Sequence, residues 1–362
     1  MIKFFVSVIV TVYVLSAVCI PAQEISKEAF YWEKQDENTV QCNLCPRQCV
    51  IASSKRGHCG VRVNKDGVLY TLGYNNPVSV HPDPIEKKPF FHVLPGSCAL
   101  SVAVAGCNMR CVFCQNWQIS QNTPDKTINR NLTADEIVEL AQQYRCRSVV
   151  FTYTEPTVFY EYMLEIAQKA KQQGLKVGMH SCGYINPAPL VELLDYMDFI
   201  NIDLKSFSRQ FYRDISGGTE LDNVLRTLRI IKQAGVHLEI TTLLIPTLND
   251  SPQEIQSLCS WIKEYLGEET PLHFSRFHPQ YKLKNLPATP LSTLRQAYDI
   301  AKKIGLKYVY IGNVSGINEE STWCPVCGKR LIHRIGYSVI ENNVQASTCR
   351  FCGASIKGIW KN

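Results

Sequence analysis

From about residue 98 onward, short apolar runs alternate with amphipathic helical stretches, and this alternation constrains the fold more than any other feature. The runs are LSVAVA (100–105), SVVFTY (148–153), KVGMH (176–180), FINIDL (199–204), HLEITTLLIP (237–246), LHFSRF (272–277) and YVYIGNV (308–314). A strand that is apolar on both faces must be covered on both faces. Helices between such strands return the chain to the same end of the sheet, so neighbours run parallel. The repeat predicts an α/β fold, a partial or complete barrel rather than a small open sheet.

Helices are predicted over about 133–144, 157–173, 187–196, 220–234, 252–266 and 291–304. Thr133 followed by Glu136 is a capping-box pair, and Gly174 and Gly235 stand where helices end in a left-handed residue. In parallel barrels chemistry gathers where the strands run out. Polar residues recur at those places: Tyr153-Thr154-Glu155-Pro156, His180-Ser181-Cys182-Gly183, Asp203-Leu204-Lys205, His278 and Asn313.

The chain has 362 residues, 45% hydrophobic and 19% charged, with a formal charge of +6, as in an ordinary folded protein. It has no long basic run and no aromatic-basic stripe, so no nucleic-acid partner is expected. Its sixteen cysteines are clustered, with four in 42–59, three in 107–114 and four in 324–352. Close pairs aim two sulfurs at one centre, which suits a metal better than a disulfide framework. Cys98, Cys146 and Cys259 read as ordinary buried small residues.

The loop after the first run, GCNMRCVFCQNW, holds Cys107, Cys111 and Cys114 in the pattern C-x3-C-x2-C. An iron–sulfur cube has four irons, each wanting one protein ligand. Three thiolates leave one iron open for something else to bind, as in catalytic zinc sites.

This spacing, with Phe113 before the last cysteine, resembles the radical S-adenosylmethionine (SAM) superfamily. The resemblance implies a partial TIM-like (β/α) barrel and a 4Fe-4S cluster on Cys107, Cys111 and Cys114. Its open iron would chelate SAM, and reductive cleavage would give a 5′-deoxyadenosyl radical. Glu155 stands in the place of the family's Gly-Gly-Glu-Pro turn, with both glycines replaced by Tyr153 and Thr154. Ser181 stands in the turn that pyruvate formate-lyase activating enzymes fill with Thr-Asn-Gly, Asp203 and Lys205 match their Asp-x-Lys, and His278 another SAM-side position. These five residues are the expected SAM contacts.

The motifs at 42–47, 57–62, 114–117, 151–156 and 310–314, with the C-terminal cysteine pairs, resemble the AmmeMemoRadiSam system radical SAM enzyme. That resemblance implies Memo-like and AMMECR-like partners and a reductant such as a flavodoxin or ferredoxin. It supplies no substrate.

Cys324, Cys327, Cys349 and Cys352 form two C-x2-C-G pairs and read as a structural zinc site in a zinc-ribbon-like module, residues 318–362. Cys42, Cys45, Cys49 and Cys59 belong to a Cys-rich N-terminal region, residues 25–97, and read as a second metal site, zinc or iron–sulfur. The barrel itself is assigned to 98–317. Residues 1–24, with Lys3 ahead of a long uncharged stretch, resemble a signal peptide or membrane anchor. Export conflicts with chemistry that draws on cytosolic cofactors. The rival readings are a glycyl-radical-enzyme activase and, outside enzymes, an iron–sulfur electron carrier.

Overall fold

All seven apolar runs become strands of one sheet. The computed structural model describes residues 27–361, so the apolar leader lies outside the described residues. The strands are β1 (Cys98–Ala103), β2 (Ser148–Phe151), β3 (Lys176–Ser181), β4 (Phe199–Asp203), β5 (His237–Leu244), β6 (Leu272–Arg276) and β7 (Val309–Gly312). Each pairs in parallel with the next. An eighth strand, Ser79–Pro84, pairs antiparallel with β1 and forms one edge, while β7 forms the other. Among the described residues no pairing joins the two edges, so the barrel is partial.

The six predicted helices are present as α1 (Ala134–Gln143), α2 (Tyr160–Gln172), α3 (Pro187–Leu194), α4 (Leu221–Gln233), α5 (Pro252–Tyr265) and α6 (Leu291–Ile304). Thr133 and Glu136 make the reciprocal capping box on α1. Gly174 and Gly235, at φ of 73° and 75°, follow α2 and α4. The strand β2 stops two residues short of its apolar run because Tyr153 turns into the left-handed region, at φ 69°.

Segment 85–97 plugs the barrel at the N-terminal ends of the strands. Ile85, Phe90, Val93 and Leu94 pack with Ala99, Val150 and Phe199 in one fully buried cluster. Phe90 meets Phe199 edge to face at 4.6 Å. Phe199 lies beside Gly178 of β3, where a Cβ would stand 2.0 Å from its ring. Only glycine leaves that ring its space.

The open side of the barrel is sealed by the C-terminal module rather than by a strand. Arg334, on the strand Arg330–Ile335, is buried there; it donates to Phe91 O at 2.7 Å and Thr322 Oγ1 at 2.8 Å, and lies 3.5 Å from the Glu86 carboxylate. Its guanidinium stacks over the Phe91 ring at 4.2 Å. The chain end returns beneath the barrel, where Leu94 N donates to Ile359 O. At the other end of the chain lie two three-stranded sheets; Cys42 ends one of their strands, Cys45, Cys49 and Cys59 stand in loops, and the expected strand near Val68 is Val68–Thr71.

One cysteine reading is corrected. Cys98 and Cys146 are bonded to each other, tying the start of β1 to the loop before β2. Adjacent parallel strands begin side by side, so residues distant in sequence meet there.

Gly178→Ala should lower stability by about 1–3 kcal/mol through overpacking. Denaturant unfolding checks this, and Phe199→Leu in the same background should recover part of the loss.

Candidate active site

The three-cysteine loop leaves the C-terminal end of β1 and is buried from its first residue. Gly106 has φ 112°, and a Cβ there would lie 2.3 Å from a Val61 methyl and 2.9 Å from Cys59 O. The loop carbonyls are gripped by two guanidinium groups. Arg47 Nε donates to Asn108 O at 3.0 Å, and Arg110 Nη1 to Cys107 O at 2.6 Å and Met109 O at 2.9 Å. Met109 N points at Cys107 Sγ at 3.3 Å, and Ser120 Oγ lies 3.0 Å from Cys114 Sγ. Phe113 is buried against Phe211, with ring centroids 5.8 Å apart.

All three cysteines open on a pocket of about 890 Å³ at the C-terminal ends of the strands. That volume suits a cofactor-sized molecule. Burial, with Glu155 and Cys111 nearby, drives the Cys107 thiol well above its usual range. Burial pushes Cys111 up to about 11 although Lys205 opposes it. Such thiols are protonated when empty and give up their protons to a metal. Among the described residues, the trio does not bring its sulfurs within 4.8 Å of one another, as ligands of a single ion would. Thiolates of an iron–sulfur cluster bind separate irons and stand further apart, so the residues fit that group.

Asp203 and Lys205 face the trio from the end of β4. Lys205 Nζ lies 2.8 Å from Asp203 Oδ2 and 5.9 Å from the Phe113 ring centre, and His180 Nε2 is 2.8 Å from Asp203 Oδ1. Burial would raise the Asp203 pKa, but Lys205 and His180 outweigh it and hold it well below the carboxylate range. Burial pulls Lys205 down, while Asp203, Cys111 and Cys182 together hold it well above its ordinary value. The site therefore keeps a fixed cation beside the cysteines.

Glu155 and Ser181 line the pocket but bind each other. Glu155 Oε1 accepts from Thr157 N at 3.0 Å, Thr157 Oγ1 at 2.6 Å and Ser181 Oγ at 2.7 Å, and Oε2 accepts from Cys182 N at 2.8 Å. With four donors from its own chain and 1% exposure, this carboxylate braces the ends of β2 and β3. Ser181 Oγ also accepts from Gly183 N at 3.0 Å. His278 lines the pocket from an exposed position.

Several pocket residues were not expected from the sequence to act at the site; of these, Tyr153 and Cys182 were named only as strand-end residues. Tyr153 takes the left-handed conformation of the glycine it replaces, with its carbonyl held by Asn116 Nδ2 at 2.8 Å. Its hydroxyl donates to Asp83, and Lys88 donates 2.7 Å bonds to both. Asp83 and Lys88 precede the barrel in sequence, so nothing local announces them. Cys182 lines the pocket beside Cys107, with its thiol donating to Asn108 Oδ1 at 3.6 Å. His273, Thr241 and Ser275 line it from β5 and β6. Below them Glu239 accepts from His273 at 2.6 Å, His237 at 3.1 Å, Phe91 N at 3.1 Å and His92 N at 2.8 Å. Period-two counting along β5 and β6 would have found these inward positions.

The C-terminal four cysteines form a compact set with every ligand atom within 4.8 Å of the others. Cys324 and Cys352 sulfurs are 3.7 Å apart, and Cys327 and Cys349 sulfurs 3.8 Å apart. Thiolates about 2.3 Å from a tetrahedral zinc stand about 3.8 Å apart. Gly328 and Gly353, at φ 69° and 75°, make the two knuckle turns. Cys42, Cys45, Cys49 and Cys59 line a separate pocket behind the trio loop.

Residues 102–259 match the sequence profile of the Radical SAM superfamily. Over 332 residues the chain is 45% identical to an uncharacterized protein of Methanocaldococcus jannaschii, covering 91% of this chain and 98% of that one. The chain belongs to the radical SAM superfamily. This radical SAM protein is also 26% identical over 201 residues to a pyruvate formate-lyase-activating enzyme of Clostridium pasteurianum, covering 51% of this chain and 81% of that one. A solved radical SAM methyltransferase from Sphaerobacter thermophilus is 13% identical, with a TM-score of 0.49, covering 84% of this chain and 81% of that one. Membership makes the chain an enzyme that generates radicals, and it implies a 4Fe-4S cluster and SAM.

Glu155→Ala should strand four buried donors and lower apo-protein stability by about 3 kcal/mol or more. Glu155→Gln should lose less, and thermal unfolding of the cluster-free chain measures both.

Proposed function

We propose that Cys107, Cys111 and Cys114 hold the 4Fe-4S cluster and that the pocket above them binds SAM against the Asp203–Lys205 pair. The observation that carries this is three sulfurs from one loop, two of them buried, opening on a large pocket and facing a fixed ammonium. When bound, the cluster supplies one electron to SAM and so produces a 5′-deoxyadenosyl radical that abstracts a hydrogen atom from substrate.

The chain's own part is positioning and exclusion of water. Lys205 presents a positive charge to the SAM carboxylate, and Asp203 aims the lysine while His180 aims Asp203. Phe113 and Phe211 keep water from the trio on one side. The strained Tyr153 turn offers backbone groups to the SAM amino group, with Glu155 and Ser181 fixing that turn from beneath. His278 guards the rim. Cys182 comes from the end of β3 rather than from the trio loop and donates its thiol proton to Asn108 Oδ1 at 3.6 Å, so it leaves the fourth corner of the cluster free.

The resemblance to the AmmeMemoRadiSam enzyme supports Memo-like and AMMECR-like proteins as partners, with a flavodoxin or ferredoxin as reductant. A second reading, activation of a glycyl-radical enzyme, is favoured by the similarity to the pyruvate formate-lyase-activating enzyme and by the placement of Asp203 and Lys205. A glycyl radical signal on a co-expressed partner would decide for it.

Anaerobically reconstituted and reduced with dithionite, the chain should convert SAM to 5′-deoxyadenosine. Lys205→Met should weaken SAM binding by about 10- to 100-fold, from the loss of a charge-assisted hydrogen bond. Cys182→Ser should keep both the trio cluster and the cleavage; loss of that cluster's iron would mean a closed site and would sink the reading. We further propose that the C-terminal four hold zinc. Metal analysis should find about one zinc per chain, and Cys327→Ala should remove it without loss of iron.

A further inference from the structure

Cys42, Cys45, Cys49 and Cys59 are more than a second cysteine set. Two of their sulfurs meet nitrogen donors. Arg62 Nη1 lies 3.4 Å from Cys42 Sγ, and His58 N lies 3.4 Å from Cys49 Sγ. A neutral thiol is a weak acceptor, so these donors suit thiolates bound to metal. Arg62 is only 1% exposed, its guanidinium is held between Cys42 and Glu161, and its Nε has no partner.

The two four-cysteine sets differ in how their sulfurs are spaced. The C-terminal four bring their ligand atoms within 4.8 Å of each other; among the described residues the N-terminal four do not. A single ion draws four sulfurs together, whereas a cluster spreads them over several irons.

The set also sits where an electron would have to pass. Asn108, next to Cys107, lines its pocket. Cys59 O packs on Gly106, and Arg110 bridges Cys107 O and His58 O. On the outer side Gln48, Val50 and His58 are exposed, and Cys45, Cys49 and Cys59 are only half-buried. One peptide layer therefore separates a surface-accessible cysteine pocket from the trio.

We propose that these four cysteines hold a second 4Fe-4S cluster that relays electrons to the trio, a role that rests on the trio reading above. In each transfer a low-potential one-electron donor, a reduced flavodoxin or ferredoxin, loses one electron and the second cluster goes from 2+ to 1+. It returns to 2+ as the same electron reduces the trio cluster, and no atom or proton is transferred.

The test begins with the Cys107→Ala, Cys111→Ala, Cys114→Ala triple variant, reconstituted anaerobically. It should retain about four irons and four sulfides per chain, with a paramagnetic signal on reduction. Zinc at this set, or no iron, overturns the proposal. For the relay, Cys45→Ser is compared with the unaltered chain, using circular dichroism and the trio's iron to confirm folding. Flavodoxin-driven reduction of the trio, followed by absorbance, should slow at least tenfold, with dithionite-driven SAM cleavage unchanged. Equal rates with flavodoxin, or equal losses with both reductants, overturn the relay. If the unaltered chain cleaves no SAM with either reductant, the trio reading and the relay fail together. Iron in the triple variant would still support the second cluster.

Discussion

The grip on the backbone of residues 106–110 is the contact on which the site depends. Three closely spaced thiols, two of them buried, gain nothing from one another in the empty protein, so metal alone would have to gather them. Instead Val61 and Cys59 press on a glycine that tolerates the approach, and Arg47 and Arg110 take up the loop carbonyls. Both contacts involve backbone groups, which leaves the sulfurs free. The N-terminal region is thus a clamp on the active-site loop as well as a candidate metal module.

Across the pocket the electrostatics run the other way. Asp203 ties down Lys205 and is itself held by His180, so a positive charge stays near thiols that must become anions. A buried ammonium is tolerated because its partner carboxylate is within hydrogen-bonding distance. Glu239 solves the same problem lower in the barrel, where four donors from β5, β6 and segment 85–97 hold an anion that burial alone would neutralise. Burial raises its pKa, but the histidine contacts dominate and leave it well below the usual range.

Among the described residues the sheet does not close on itself, and the seam is filled by side chains from distant parts of the chain. Arg334 joins the C-terminal module to Glu86 and Phe91, while Glu320, Gly336 and Tyr337 of that module reach the pocket. The module that resembles a zinc ribbon therefore forms a wall of the active site.

The sequence alone determined the parallel strands, the helices with their capping pair and glycine ends, and the three cysteines. Each is a local pattern of periodicity or spacing that the backbone obeys without reference to distant residues. Only the tertiary structure decided that Glu155 and Ser181 brace each other, that Cys98 meets Cys146, and that Asp83, Lys88 and Tyr153 share one network. Those partners lie tens of residues apart, and nothing in the chain specifies their meeting until parallel strands bring their ends together. Whether the sulfurs of a cysteine set stand close together, as the C-terminal four do, is decided the same way, because ligand spacing in space is set by how loops are packed and not by how many residues lie between the sulfurs.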